Sequence, residues 1–342
     1  MRTILKLMLI CILFSCSQKK TDNKKCCNNK STLPGTAIKN GLFQLNEMDM
    51  HVHAGREREV PLNEWIDLSV KDGRKVMLLL DHLELYRMKK EEHSEWLEKN
   101  KLNDWYPILS DGHIALMQEL EKAKEREDVI IFKGWEIWEG EFEEGLEKEP
   151  MKYADVIGWH ISKAAWDEAP KGEHIIQRAK QIIEVQNEFP IPMIIYHPFS
   201  MRISAIQKMF AESGKDKSSI TVNDYRFFKP GEQEKLIALL KGKSVYIEIG
   251  RDNAKYWDDP VVRQALIEDI KPLTAGGVQF VVSTDAHVVA HIIKPFNPEL
   301  YCKDLGITPE NTNTIVRELM AIEAIKKLNL EKRSKAEFTN TK

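Results

Sequence analysis

From residue 42 onward the chain alternates between two hydrophobic patterns. Short apolar runs bounded by turn residues recur at 45–50, 75–80, 129–136, 153–158, 192–196, 244–249 and 278–284. Between them, apolar positions take a helical period. Ile114, Met117, Leu120 and Ala123 form one stripe, and Ile175, Ile176, Ala179, Ile182 and Ile183 a second. Val262, Ala265, Leu266, Ile270 and Leu273 form a third. Strands alternating with helices predict a parallel sheet joined by right-handed crossovers. Runs such as 76–80 and 280–282 are apolar at successive positions. That predicts strands buried on both faces, as in a barrel or a doubly wound sheet. Thr308 as N-cap and Pro309 at the first helical position open a last helix, with a stripe through Ile315, Leu319, Ile322 and Ile325. The mixed stretch 200–231 is long enough for a specificity loop or lid, or for plain surface structure. With no repeat and no Pro/Gly/Ser linker past residue 41, one folded domain over 42–332 is expected, followed by a polar tail at 333–342.

The N-terminus changes this picture. Arg2 and Lys6 flank or interrupt a short apolar region whose core, residues 7–14, suits a signal peptide and is too short to span a bilayer. It ends in Leu13-Phe14-Ser15-Cys16, which resembles the bacterial lipobox. The resemblance implies a signal peptide at 1–15 and a lipidated Cys16 that anchors the protein to a bacterial membrane, on its periplasmic or surface face. A plain secretory signal is the alternative. Residues 16–41 are Lys/Asn-rich and aperiodic, which predicts a flexible tether. Cys26 and Cys27 fall within it, Cys302 stands alone, and no Cys-x-x-Cys or disulfide framework is present. A hydrophobic content of 42% with 30% charged residues fits a globular protein, and the net charge of -3 offers no basic footprint for nucleic acid.

Candidate chemistry clusters at the ends of the apolar runs. His51-x-His53 closes the first, and residues two apart on a strand face the same way, so the two imidazoles can chelate one divalent cation. Asp49 stands behind them as a possible orienting carboxylate. The second run ends in Asp81-His82, the third contains Glu136, the fourth leads to His160 and the fifth ends in His197-Pro198. The sixth carries Glu248 and the last ends in Asp285-Ala-His287. In a parallel barrel all these C-terminal ends open on one face.

The ordered set resembles the polymerase and histidinol phosphatase (PHP) family. Its motifs appear in this chain as Asp49-Met-His51-Val-His53, Leu80-Asp81-His82, Glu136, His160, His197 and Ser283-Thr-Asp285-Ala-His287. The resemblance spans residues 46–290 and implies a distorted (β/α)7 TIM-like barrel holding two or three divalent metals. It implies one metal on His51, His53, Glu136 and Asp285, and a second sharing Glu136 and taking His160 and His197. A third would use His82, His287 and a residue shortly after the first motif. The family usually offers His or Asp there, where this chain has Arg58, so Glu57 or Glu59 would substitute, with Glu57 preferred. Asp81 would be a ligand or a ligand-orienting group. Trp159 stands where a second His is common.

Mixed His and carboxylate ligands suit Zn, Mn or Fe. Two such ions would hold a hydroxide for in-line attack on the phosphorus of a small phosphate monoester. Asp285 or His287 would carry the proton to the leaving oxygen. Arg251 and Arg202 are the candidate cations for the non-bridging oxygens, either of them equally a solvated loop charge. The acidic stretch from Trp135 through Trp138 onward would line one wall and repel an anionic polymer. An amidohydrolase-like site cleaving a C–N or C–O bond is the nearest alternative. That superfamily typically puts a bridging Lys at the end of the fourth strand, where His160 stands. A lipid-anchored metal-containing binding protein without turnover is the other.

Overall fold

The computed structural model describes residues 42–53, 60–83, 95, 113–138, 148–161 and 169–340, all within the unit Pro34–Lys342. The expected leader, the tether with Cys16, Glu57 with its neighbours Arg58 and Glu59, and most of the acidic stretch after Trp138 lie outside the described residues.

Seven strands form one sheet in chain order, β1 to β7, with every neighbouring pair parallel. They are β1 (Met48–Val52), β2 (Val76–His82), β3 (Ile130–Ile137), β4 (Val156–His160), β5 (Met193–Tyr196), β6 (Val245–Gly250) and β7 (Gln279–Ser283). The described helices are α1 (Leu62–Lys71), α2 (His113–Ala123), α3 (Gly172–Glu188), α4 (Pro198–Glu212), α5 (Val222–Tyr225) and α6 (Glu232–Leu240). Then come α7 (Arg251–Ala254), α8 (Pro260–Ala275), α9 (Val289–Ile292), α10 (Glu299–Leu305) and α11 (Pro309–Asn340). The sheet curls into a distorted barrel that closes between its first and last strands. Val52 bridges Ala286 in parallel sense, and the His53 amide donates to the Ala286 carbonyl at 2.9 Å. These contacts join the segment carrying His51 and His53 to the one carrying Asp285 and His287.

Asp49 completes the closure. Its carboxylate accepts from the Thr284 amide at 2.9 Å and the Thr284 hydroxyl at 2.6 Å, with Arg74 Nε 3.8 Å away. Its expected task of orienting the imidazoles therefore falls to other residues. Beside it, the β1–β2 register shifts between Asp49 and Val52. Such irregularities bend a strand and re-aim its side chains.

β1 and β4 start three residues later than the apolar pattern suggests. Leu45, which leads the first run, is buried from within a 3-10 turn, Leu45–Glu47, while Tyr153, which leads the fourth, closes a second such turn, Pro150–Tyr153, and is 37% exposed. The Gln44 amide donates to Glu47 Oε2 at 2.9 Å in the first, and Pro150 opens the second. The stretch 200–231 is largely helical instead of a loop. Phe199, Ile203 and Ile206 recur at helical spacing and are buried, which holds α4 against the barrel. In α11 the buried stripe stops near Leu319. Ile325 is 47% exposed, yet the helix continues past residue 333 to Asn340. No helix among the described residues is long and apolar enough to cross a membrane.

Candidate metal centre

The C-terminal ends of the seven strands gather His51, His53, Asp81, His82, Glu136, His160, His197, Glu248, Asp285 and His287. Four atoms meet at the centre: Nε2 of His51, Nε2 of His53, Oε2 of Glu136 and Oδ1 of Asp285. The two ring nitrogens are 2.9 Å apart, and they lie 3.3 and 3.0 Å from Glu136 Oε2 and 3.4 Å each from Asp285 Oδ1. A tetrahedral ion with bonds of about 2.0–2.1 Å separates its ligands by roughly 3.3–3.4 Å. The observed spacing is close to that edge length.

The hydrogen bonds on the far side of each ring explain why these atoms face inward. His51 Nδ1 lies 2.8 Å from Glu248 Oε1, and His53 Nδ1 lies 3.1 Å from Asp81 Oδ1. A carboxylate beside Nδ1 holds the proton there and leaves Nε2 as a lone pair. Two ring nitrogens and two carboxylate oxygens then converge, a donor set suited to a divalent cation. Asp285 Oδ1 carries the same sign of a missing partner. Its side chain is 30% exposed, but that oxygen is enclosed and accepts no hydrogen bond. The residues present fit a divalent ion.

Glu136 reaches a second cluster with its other oxygen. Oε1 is 2.8 Å from His160 Nε2 and 3.3 Å from His197 Nε2, so one carboxylate faces two sets of ligands. On the other side, His82 Nε2 lies 3.3 Å from Glu136 Oε2. One nitrogen from each of His53, His82 and His287 falls within 4.8 Å of the others. This is where a third ion would sit; Glu57, its expected further ligand, lies outside the described residues.

Glu248 is the residue whose role the pattern alone did not reveal. Oε1 takes His51 Nδ1 and the Ser283 hydroxyl at 2.5 Å; Oε2 takes the His197 amide at 2.8 Å and faces His197 Nδ1 at 3.1 Å. Both oxygens face imidazole Nδ1 atoms, the geometry of a carboxylate that orients ligand rings. Asp81, open to either role, has the orienting geometry toward His53. Tyr196 supports the His51 ring from its face. It stacks on His51 at 3.8 Å between centroids, and its hydroxyl donates to the Met50 carbonyl at 3.0 Å. Gly158 makes that possible, because a Cβ there would lie 1.7 Å from the Tyr196 ring.

Charge follows the same plan. Burial disfavours a charged His51, yet Glu136, Asp285 and Glu248 together push it up to about 10. Burial would raise Glu136, but His82, His51 and His160 outweigh it and hold the carboxyl well below its usual range. Glu248 is held low against burial by His197 and His51. The cluster is a sink for positive charge.

Two ligand positions are strained. His197 (φ 58, ψ 16) and Asp285 (φ 51) are the non-glycine residues with positive φ among the described residues. Each such residue costs about 1–3 kcal/mol and persists only where its surroundings over-determine it. Both stand just past a strand end, where the left-handed turn places the side chain among the cluster atoms.

A cleft of about 500 Å3 opens onto the centre, lined by His82, Glu136, His160, His197, Asp285 and His287, and further out by one face of α4 and by Asp252. Arg202 and Arg251 do not line it. Arg202 spends its guanidinium on the carbonyls of Tyr225, Pro170 and Asp224 at 2.7–2.8 Å, and Arg251 donates to the His291 carbonyl. The expectation that Arg202 binds a phosphoryl oxygen is corrected accordingly, and Arg251 stands outside the lining. Trp159 is fully buried, pointing away from the cluster face occupied by His160.

No family model and no curated protein matches the chain. Among solved structures it is similar to histidinol phosphate phosphatase from Lactococcus lactis subsp. lactis Il1403, complexed with zinc, L-histidinol and phosphate. Identity there is 13%, over 77% of this chain and 94% of that one, with a TM-score of 0.40. A putative histidinol phosphatase from Listeria monocytogenes is also similar, at 13% identity over 75% and 100% of the two chains and a TM-score of 0.42. A chain of archaeal ribonuclease P with mature tRNA gives 11%, 80% and 89%, with a TM-score of 0.44. At such low identity and TM-score these likenesses add nothing to what the strand order and closure already establish.

Glu248→Gln keeps the shape but halves the carboxylate's acceptor capacity toward His51 and His197. It is expected to weaken metal binding about 10–100-fold while leaving the fold intact. Chelator competition monitored alongside circular dichroism checks this, and unchanged affinity would show that Glu248 does not orient the ligands.

Proposed function

We propose that the chain is a metal-dependent phosphoesterase of the PHP type that hydrolyses a small phosphate monoester. The observation that carries this reading is the divided carboxylate of Glu136. Oε2 stands among His51, His53 and Asp285, and Oε1 among His160 and His197. That is a donor set for two ions sharing one bridge, the arrangement suited to clamping both oxygens of an in-line displacement. Divalent ions there, Zn, Mn or Fe by ligand type, would polarise the phosphoryl oxygens and make a water acidic enough to attack near neutral pH.

The chain's own residues do the rest. His51, His53, Glu136, Asp285, His160 and His197 would hold the ions, with Asp81 and Glu248 fixing the ring orientations. His82 and His287 stand ready for a third ion. His287 Nδ1 lies 3.1 Å from the Asp285 carbonyl, which keeps a proton on Nδ1, and with no third ion bound its Nε2 would exchange one with the leaving oxygen. With Arg202 and Arg251 engaged elsewhere, the non-bridging oxygens are met by the N-terminal end of α4. That end begins directly after His197, and its Ser200 lines the cleft. A helix N-terminus carries partial positive charge and amide donors suited to phosphate. An amidohydrolase-like reaction has less support, since the bridge is a strand-3 glutamate and the fourth strand ends in His160.

Chelation is expected to abolish hydrolysis of para-nitrophenyl phosphate, and Mn or Zn to restore it. Asp285→Ala and His53→Ala are each expected to lower kcat at least about 1000-fold in a folded protein. Stoichiometric metal with no hydrolysis of any phosphomonoester would end this reading and leave the fold standing. The reading also keeps the membrane anchor at Cys16. Cys16→Ser is expected to move the protein from the membrane to the soluble fraction, and a variant still recovered with membranes would count against lipidation.

A further inference from the structure

We propose that the substrate carries a second anionic group, a carboxylate or a phosphate, which Lys208 holds at the outer part of the cleft. The proposal rests on the phosphoesterase reading for the phosphoryl end of the ligand and on the cleft wall for the other end.

The wall is α4. It leaves the metal cluster at His197, and Ser200, Ser204 and Lys208, spaced four residues apart, line the cleft along with Met201 and Ala205. Residues at this spacing form one face of a helix. At about 1.5 Å per residue, Lys208 lies roughly 12 Å along the wall from Ser200. Among the described lining residues, histidines aside, Lys208 is the cation. Its carboxylate neighbour is Glu212 at 3.8 Å, with both side chains about two-thirds exposed. A Lys one turn before a Glu is the weaker orientation of such a pair, and exposed pairs contribute little. The remaining charged residue of the lining outside the cluster, Asp252, is paired with Lys255 at 3.1 Å. Ser204 shares a hydrogen bond with Tyr256 at 2.8 Å, so the middle of the wall is polar but already partnered.

A ligand anchored by its phosphoryl group therefore passes a short stretch of Met201 and Ala205 and reaches an ammonium that has no strong competing partner among the described residues. Allowing for the reach of the lysine side chain, the second anion belongs about 6–12 Å from the phosphorus.

The test uses the full chain reconstituted with Mn. Calorimetry compares benzylphosphonate with para-carboxyethyl benzylphosphonate, and with a bisphosphonate of equal length to tell a carboxylate from a phosphate. The corresponding phenyl phosphates are assayed for turnover. The chain is expected to bind a second-anion ligand about five- to tenfold tighter than benzylphosphonate. Lys208→Ala is expected to erase that advantage, Lys208→Arg to keep it and Lys208→Glu to reverse it, all with benzylphosphonate affinity unchanged. Equal binding of the three ligands, or an advantage that survives Lys208→Ala, would overturn the proposal. A Lys208-dependent preference without turnover of any phenyl phosphate would support the subsite and refute the phosphoesterase reading.

Discussion

In the closed end of the barrel the Nε2 atoms of His51 and His53 stand 2.9 Å apart, each 3.0–3.4 Å from an oxygen of Glu136 and one of Asp285. Lone pairs crowded this closely repel unless a cation lies among them. The rest of the site is arranged to impose that crowding. Glu248 and Asp81 fix the imidazole protons on the outer nitrogens, Tyr196 backs the His51 ring, and Gly158 yields the space for Tyr196. Left-handed backbone at His197 and Asp285 delivers ligands that regular strand geometry would not.

Closure of the barrel is what makes this possible. The first and last strands bring His51-x-His53 and Asp285-x-His287 from opposite ends of the domain to one place. The seam is secured at three points, Val52 to Ala286, His53 to Ala286 and Asp49 to Thr284. Fold and site therefore share residues. The seam holds the ligands, and a bound ion would in turn hold the seam, adding to stability as any ligand specific to the folded state does.

Much of this was legible in the chain. Parallel strands buried on both faces announce themselves as continuous apolar runs, and the residues that end them are the site. What was not legible depended on distance in space. Asp49 reads as a partner for the histidines two and four residues on, but the nearest donors are those of Thr284 across the seam. Glu248 reads as one more metal-ligating carboxylate, and only its position between two Nδ1 atoms shows that it orients His51 and His197. Arg202 and Arg251 read as phosphate-binding cations because they follow strand ends, yet all three guanidinium nitrogens of Arg202 donate to backbone carbonyls and Arg251 stands outside the cleft lining. The spacing of Phe199, Ile203 and Ile206 could have revealed α4, and with it the cleft wall carrying Lys208.

Counting metal per chain tests most directly the proposal that Glu136 would serve two ions at once. Elemental analysis of the reconstituted protein after desalting is expected to give at least about two ions per chain, and Glu136→Gln to lose binding in both clusters together. Less than one ion per folded chain, or a Glu136→Gln protein that keeps its full complement, would contradict the account.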